Sequence, residues 1–165
     1  MKITLFAGDL TDAPAEALCT STNARLTLMM GTGGAVREKG GWDVLRACEA
    51  IVNGRQLPAG SVHVTTAGKL PQKGVIHCVA SAPSQASSEP IIRACTKNAL
   101  AAADANGFAT VAMPVFASGH VRFKFDRALT AMLEVLRNAE TNVREVVIVI
   151  ESEREADARR LLSAS

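Results

Sequence analysis

The chain has 165 residues, of which 48% are hydrophobic, so it is long enough to bury a core as one domain. Its 18 Lys and Arg and 16 Asp and Glu side chains leave a net charge of +2, which makes no strong case for a nucleic-acid partner. No apolar run approaches the roughly 20 residues of a membrane-spanning helix, and the N-terminus is typical of a strand rather than of a signal peptide. We therefore expect a single domain over residues 1–165 that is cytoplasmic and has no membrane contact.

Apolar runs bounded by turn signals predict strands at 3–6, 16–19, 61–65, 74–80, 110–116 and 146–150. Helical spacing and capping signals predict helices at 42–52, 88–106, 126–137 and 153–162. Strands that alternate with helices imply a mixed or mostly parallel sheet with helices on both faces. The predicted fold class is therefore α/β, a three-layer α/β/α sandwich around a central mixed sheet of about six strands.

The cysteines at 19, 48, 78 and 95 are isolated within apolar or helical patterns. Their spacing supports neither a disulfide framework nor a zinc site, so we expect buried free thiols and no metal. Cys78 adjoins His77, but neighbours in a strand point to opposite faces and do not easily act as a pair. We expect both to lie in or near the core.

Two segments rich in small residues are suited to binding phosphate. Gly31-Thr32-Gly33-Gly34 leads into the helix-compatible segment 35–39, and Ala117-Ser118-Gly119-His120 follows an apolar run. Glycines let consecutive backbone N–H groups converge on an oxyanion, and a helix N-terminus adds partial positive charge. Two such loops that face each other would clamp a diphosphate. Neither the Walker pattern nor the dinucleotide-binding fingerprint is present.

The predicted sheet brings further polar residues to the same place, because ligands of α/β sheets bind outside the carboxyl ends of the strands. Asp9 follows the first strand and Asn23 follows the second, while residues 80–83 and 118–123 follow two later strands. A carboxylate accepts hydrogen bonds from an exocyclic amine, and an amide bonds a sugar hydroxyl. This combination predicts a nucleotide-like ligand.

Four motifs in order along the chain resemble those of the macro domain family, whose members recognise ADP-ribose. They are Gly8-Asp9-Leu10-Thr11, Glu16-Ala17-Leu18-Cys19-Thr20-Ser21-Thr22-Asn23, the stretch 69–77 that ends in Val75-Ile76-His77, and Met113-Pro114-Val115-Phe116-Ala117-Ser118-Gly119. Within the family, residues 38–41 and 70–78 are most similar to the branch attached to a variant histone. The resemblance covers nearly the whole chain and implies the macro domain fold.

The resemblance implies a role for each matching residue. Asp9 would accept from the adenine amino group beside the Leu10 backbone, Asn23 would reach the distal ribose, and segments 31–34 and 118–122 would hold the diphosphate. The alternatives are a turn or cap role for Asp9, a turn-stabilising amide at Asn23 and ordinary loops. The implied ligand-binding residues are Asp9, Leu10, Thr20, Asn23, Gly31, Thr32, Gly33, Gly34, Ser118, Gly119, His120, Val121 and Arg122.

Departures from the family pattern affect catalysis first. Gly33 stands where the hydrolase branch has an Asp that helps to activate water, and Thr20 replaces the family's first Asn. General-base catalysis needs a titratable group within reach of the water, so hydrolysis by that route is unsupported. Met29 and Met30 replace two glycines of a triplet. We expect them to pack as core, with a narrowed pocket as the alternative.

Other departures affect binding. Val121 replaces an aromatic residue that packs on the sugar, and Arg122 adds a cation beside the expected diphosphate. Ile150 or Glu151 replaces the aromatic residue that often stacks on adenine. His120 is either a solvated loop residue or a phosphate donor. We expect Phe123 and Phe125 to be buried beneath the loop, with a position at the pocket rim as the alternative.

These observations predict a recognition module for ADP-ribose or a ligand that contains it, such as mono-ADP-ribosylated protein or O-acetyl-ADP-ribose. We expect it to be monomeric and to need no cofactor. The first alternative is an ADP-ribosyl hydrolase with a non-standard mechanism, whose catalytic residues the sequence does not identify. The second is a degenerate macro domain that acts as an interaction scaffold.

Overall fold

The computed structural model describes residues 1–84 and 86–164, where strands and helices alternate. The strands are β1 Lys2–Ala7, β2 Ala17–Thr22, β3 Val62–Thr65, β4 Gly74–Val79, β5 Thr110–Pro114 and β6 Glu145–Ile150. The α-helices are α1 Gly31–Gly40, α2 Trp42–Val52, α3 Glu89–Asn106, α4 Phe125–Arg137 and α5 Glu155–Ser163. Short 3₁₀ helices span Leu10–Asp12 and Ser152–Arg154.

The strands form one sheet in the order β1-β6-β5-β2-β4-β3. All neighbours are parallel except β3, an edge strand that runs antiparallel to β4. Because β1, β6, β5, β2 and β4 point the same way, their carboxyl ends share one edge of the sheet. The predicted mixed sheet is therefore confirmed.

Side chains of the central strands alternate between the two faces of the sheet, as strand geometry requires. In β2, Leu18 packs with Val36 of α1 and Val44 of α2 on one face. Its neighbour Cys19 packs on the other face with residues of α3, α4 and α5, such as Leu129. The two apolar clusters confirm the three-layer sandwich.

Local sequence signals place most helix ends where the structure has them. Helix α3 has a proline in its first turn and ends at Gly107, whose φ of 69° is left-handed. Helix α2 ends at Asn53, also left-handed with a φ of 43°. Glycine and asparagine adopt this conformation most readily, so both are effective helix stops. No helix within residues 1–84 and 86–164 is long and apolar enough to cross a membrane.

The main local difference from the sequence prediction is at the glycine-rich segment. Gly31 to Gly34 form the first turn of α1 instead of a loop before it, with Met30 as the N-cap residue. Strand β2 also continues to Thr22, three residues beyond its predicted end. The residues concerned are polar or glycine and have low propensity for strand or helix. Pairing with β4 determines the conformation at the end of β2, and packing on β2 determines it at the start of α1.

Candidate functional site

A cavity of about 540 Å³ opens at the edge of the sheet where β1, β6, β5 and β2 end. This volume lies within the range of small-molecule sites. Its wall consists of the segments that follow those strands, including Asp9 after β1, Asn23 after β2, Ser118 after β5 and Glu151 after β6. The predicted gathering of loop residues at one edge is present.

The first turn of α1 contributes Gly31, Thr32 and Gly33 to the cavity wall. Gly34 N–H donates to the Met30 carbonyl oxygen at 3.0 Å, the first backbone bond of the helix. The N–H groups of Gly31, Thr32 and Gly33 precede that bond and have no intrahelical acceptor. Together with the helix dipole they favour an anion. A Cβ atom at Gly33 would lie 3.1 Å from Leu28 Cα, so backbone proximity disfavours a side chain here.

The loop after β5 provides a second group of donors. It is closed by Phe123 N–H, which donates to the Ala117 carbonyl oxygen at 2.9 Å, and by Arg122 N–H, which donates to the Gly119 carbonyl oxygen at 3.0 Å. Ala117 and Arg122 take the left-handed conformation, with φ values of 62° and 58°. Among the described residues, the N–H groups of Gly119 and His120 have no acceptor. Because both residues line the cavity, their donors are available to a ligand.

Ser21 connects these two donor groups. Its N–H donates to Thr32 Oγ1 at 3.2 Å, and its Oγ accepts from Ala117 N–H at 3.1 Å. One residue at the end of β2 therefore fixes both the first turn of α1 and the loop after β5. Sequence reasoning missed this role. The only signal was its position in the polar run Thr20-Ser21-Thr22-Asn23 at the predicted edge.

Asp9 lies at the β1 end of the cavity and caps the 3₁₀ helix that follows. Its Oδ1 accepts from Thr11 N–H at 2.8 Å and from Thr11 Oγ1 at 2.5 Å, while Oδ2 lies 3.8 Å from Lys39 Nζ. The hydrogen bonds from Thr11, with a smaller contribution from the charge of Lys39, hold the pKa of Asp9 below its usual value. The carboxylate is thus ionised at neutral pH. The cap role is present, and Oδ2 remains as an acceptor.

Asn23 lies at the opposite end, and its side chain is engaged locally. Its Oδ1 accepts from Arg25 N–H at 3.0 Å and its Nδ2 donates to Thr27 Oγ1 at 2.8 Å. This is the turn-stabilising geometry of an Asx motif. Asn23 and Thr27 both line the cavity, so the turn presents an amide and a hydroxyl to a ligand.

Most of the predicted site residues line the cavity: Asp9, Asn23, Gly31, Thr32, Gly33, Ser118, Gly119, His120 and Val121. Four others do not. The side chain of Leu10 is 3% exposed and packs in the core, and Gly34 commits its N–H to Met30. Arg122 is exposed, has a left-handed φ of 58° and lies outside the cavity lining. The expected cation beside the diphosphate is therefore not placed there.

Thr20 also lies outside the cavity and instead bonds a buried histidine. Thr20 Oγ1 lies 3.1 Å from His77 Nδ1, and Thr65 Oγ1 lies 2.8 Å from His77 Nε2. Since Thr65 Oγ1 donates to the Thr66 carbonyl oxygen, it accepts from Nε2–H, which leaves Nδ1 as the acceptor for Thr20. Burial lowers the pKa of His77 to about 4, so the ring is neutral. His77 is a core residue, as predicted.

The four cysteines are free and buried, which confirms the sequence prediction. His77 has Cys48 rather than Cys78 as its sulfur neighbour, with 3.6 Å from Nε2 to Cys48 Sγ. Burial raises the pKa of Cys48 to about 11, so its thiol is not a nucleophile at neutral pH. Among the described residues, no three His, Cys, Asp or Glu side chains form a metal site.

The expectation that Met29 and Met30 pack in the core is wrong. They are 67% and 62% exposed and lie at the cavity mouth. Leu26 and Leu28, each 2% exposed, fill the core position of this segment by taking left-handed φ values of 49°. Met30 is then left as the extended N-cap residue of α1. The methionines therefore border the site and do not support the fold from inside.

The cavity lining includes the ring of Phe125, which corresponds to the pocket-rim alternative for this residue. Phe123 and Phe125 are partly buried against the core, and Phe125 also lines the cavity beside Ile150 and Glu151. The guanidinium carbon of Arg154 lies 5.2 Å from the centre of the Phe125 ring. This pairing joins the start of α4 to the segment after β6.

The fold and the cavity define a class: an α/β/α sandwich with a cavity at the carboxyl edge of a mixed sheet. The Macro domain family model matches residues 19–132, and the chain belongs to this family. The predicted family is therefore confirmed.

Relatives by sequence cover most of the chain. A macro domain-containing protein of Streptomyces coelicolor is 33% identical over 165 residues, which is 96% of this chain and 98% of that protein. A protein of Pantoea vagans named O-acetyl-ADP-ribose deacetylase 1 is 32% identical over 141 residues, 83% of this chain and 82% of its own length.

Solved structures show the same fold. The Oceanobacillus iheyensis macrodomain with ADP has a TM-score of 0.86 at 24% identity and covers 96% of this chain and 87% of its own. The Trypanosoma brucei macrodomain in complex with ADP has a TM-score of 0.87 at 19% identity, with 98% and 69% coverage.

Proposed function

We propose that this protein binds ADP-ribose, free or as part of a modified protein or of O-acetyl-ADP-ribose, and acts as a recognition module. One observation carries the proposal: two segments with free backbone N–H donors line a single cavity and are linked to each other through Ser21. Converging N–H groups without negative side chains between them are suited to a diphosphate.

The two ends of the cavity suit the two ends of ADP-ribose. At one end Asp9 keeps a charged acceptor oxygen for the adenine amino group. At the other end the Asn23 turn offers polar groups to the distal ribose. The ADP in the Oceanobacillus iheyensis and Trypanosoma brucei macrodomains supports a ligand of this class for the shared fold.

The site supports recognition more strongly than hydrolysis. Gly33 has no side chain to activate water, and the acidic residue at the β1 end, Asp9, is engaged by Thr11. His120 is the one histidine in the described cavity lining. The name of the Pantoea vagans relative favours an ADP-ribosyl hydrolase as the second candidate, in which His120 would serve as the base.

Isothermal titration with ADP-ribose tests the binding proposal. We expect saturable heat for the native protein and loss of binding for Gly33→Glu, which places bulk and negative charge among the first N–H donors. Ala50→Glu is the matched control, because it adds the same charge on the exposed face of α2. Absence of heat at millimolar ADP-ribose would leave only the scaffold alternative.

Incubation with mono-ADP-ribosylated protein separates recognition from hydrolysis. Label that persists while the protein is captured in a pull-down supports the recognition module. If the native protein removes the label and the His120→Ala variant does not, the hydrolase alternative would replace the proposal.

The proposal includes a monomeric state and a cytoplasmic location. Four buried free thiols fit a reducing compartment. Light scattering after size-exclusion chromatography tests the first point against the mass of 17.3 kDa, and a dimer mass would contradict it.

A further inference from the structure

Lys39, in the last turn of α1, lies beside the Asp9 carboxylate. Its Nζ is 2.6 Å from Thr11 Oγ1, 3.2 Å from Asp12 Oδ1 and 3.8 Å from Asp9 Oδ2. Asp9 belongs to the described cavity lining and Lys39 does not. Any effect of Lys39 on a bound ligand through hydrogen bonds must therefore pass through Asp9.

The hydrogen bonds around the Thr11 hydroxyl have a fixed direction. A lysine ammonium group donates and cannot accept, so Lys39 Nζ donates to Thr11 Oγ1. The hydroxyl proton of Thr11 is then directed to Asp9 Oδ1, at 2.5 Å. Thr11 N–H donates to the same oxygen at 2.8 Å. Oδ1 is thus occupied twice, and Oδ2 is the oxygen of Asp9 that remains for a ligand.

Both ends of this chain of hydrogen bonds are secured by their surroundings. Thr11 is 4% exposed, and its carbonyl oxygen accepts from Gln72 Nε2 at 3.4 Å. The hydrogen bond to Asp12, with smaller contributions from the charges of Asp9 and Asp12, raises the pKa of Lys39. Lys39 is therefore an ammonium donor at neutral pH, and the direction of the chain does not reverse.

We infer that Lys39 is a positioning residue that sets the preference of the cavity for a base with an exocyclic amine. Lys39 directs the Thr11 hydroxyl, which occupies Asp9 Oδ1 and leaves Oδ2 as the acceptor. A carboxylate oxygen accepts from an amine and repels a carbonyl oxygen. The inference rests on the proposed function, because it requires the base of ADP-ribose to lie at Asp9.

A direct charge effect on Asp9 is the competing role for Lys39, and the geometry disfavours it. The distance of 3.8 Å from Nζ to Oδ2 is beyond that of a hydrogen bond. The two side chains are 44% and 41% exposed, so water weakens their attraction. The contact of Lys39 with the buried Thr11 hydroxyl is better shielded from water, so the route through the hydroxyl is the stronger one.

Titration calorimetry with two ligands isolates this role. ADP-ribose carries the adenine amine, and its hypoxanthine analogue has the same charge but a carbonyl oxygen in place of the amine. Lys39→Met removes the donors, Lys39→Arg keeps a group that only donates, and Thr11→Val removes the hydroxyl. Lys97→Met is the matched control, because it removes the same charge from an exposed position of α3 outside the described lining.

We expect the native protein and Lys97→Met to prefer ADP-ribose over the analogue by about tenfold or more. Lys39→Met should lower ADP-ribose affinity about fivefold and keep analogue affinity within about twofold, as the weakening of one hydrogen bond does. Lys39→Arg should restore most of the preference. Thr11→Val should lower it to the same extent, and adding Lys39→Met to Thr11→Val should have no further effect, because both changes break one chain of hydrogen bonds.

Four results would overturn the positioning role and leave the proposed function intact. They are equal affinities of the native protein for the two ligands, an equal loss of both affinities in Lys39→Met, a gain of ADP-ribose affinity in that variant, and additive effects of Lys39→Met and Thr11→Val. Native protein that binds neither ligand would refute the proposed function and this inference together.

Discussion

Acidification to pH 5 is expected to destabilise the protein through one buried residue, His77. The ring is fully buried and makes hydrogen bonds to Thr20 and Thr65 that a neutral tautomer satisfies. Burial, with a minor contribution from His63, lowers its pKa from 6.5 to about 4. As the pH falls through 6.5, His77 binds a proton in the unfolded chain but not in the native chain. The native state therefore loses stability that it has at neutral pH.

The magnitude follows from the two pKa values. A difference of 2.5 between 6.5 and 4 corresponds to about 3 kcal/mol of unfolding free energy, lost in full below pH 4. About 2 kcal/mol of this is lost between pH 7 and pH 5. Such a change is large against the roughly 5–15 kcal/mol stability of ordinary domains.

The assay is urea unfolding at pH 7, 6 and 5 for the native protein, His77→Gln and His63→Gln. His77→Gln should be less stable at pH 7, yet lose much less stability on acidification. His63 is half-buried with a pKa that burial also lowers, so His63→Gln controls for histidine loss and should keep most of the pH dependence.

Equal pH slopes for the native protein and His77→Gln would refute this reasoning. If His77→Gln does not fold, an NMR titration of the native protein gives the same information. A His77 ring that titrates near pH 6.5 in the folded state would show that burial does not exclude its charged form.

Further expected outcomes concern the cavity and use titration calorimetry with ADP-ribose. Asp9→Ala should weaken binding at least tenfold, since a lost hydrogen bond to a charged group costs about 1.5–3 kcal/mol. The control Asp12→Ala should leave the affinity unchanged. Equal affinities for the two variants would mean that Asp9 only caps the 3₁₀ helix. Ser21→Ala removes the acceptor for Ala117 N–H and should weaken binding several-fold; unchanged affinity would mean that the donor groups need no link. Arg122→Gly should keep binding within twofold and the melting temperature equal or higher, because glycine prefers the φ of 58°; lost binding would place Arg122 on the phosphate.

The fold was predictable because several independent signals agreed. Period-two and continuous apolar runs marked the strands, and Pro90, Gly107 and Asn53 marked helix ends where the structure has them. The order of the strands in the sheet was not available from such local signals, since it depends on pairing between distant segments.

The site was predictable to the level of its segments and less so to the level of side chains. Asp9, Asn23 and both donor segments line one cavity, as expected. Thr20, Met29 and Arg122 were misplaced because the direction of a side chain at a strand end or in a left-handed turn depends on backbone conformation. Arg154 approaches Phe125 only after folding, so no spacing in the sequence reveals it.

The proposed function depends on joint binding of the ADP-ribose diphosphate by backbone N–H donors of α1 and of the loop after β5. Amide NMR spectra recorded during addition of ADP-ribose test it most directly. We expect all the affected resonances to shift with one common saturation curve; they are those of Gly31, Thr32, Gly33, Gly119 and His120. Saturable shifts confined to other parts of the chain, or none in these two segments, would contradict it.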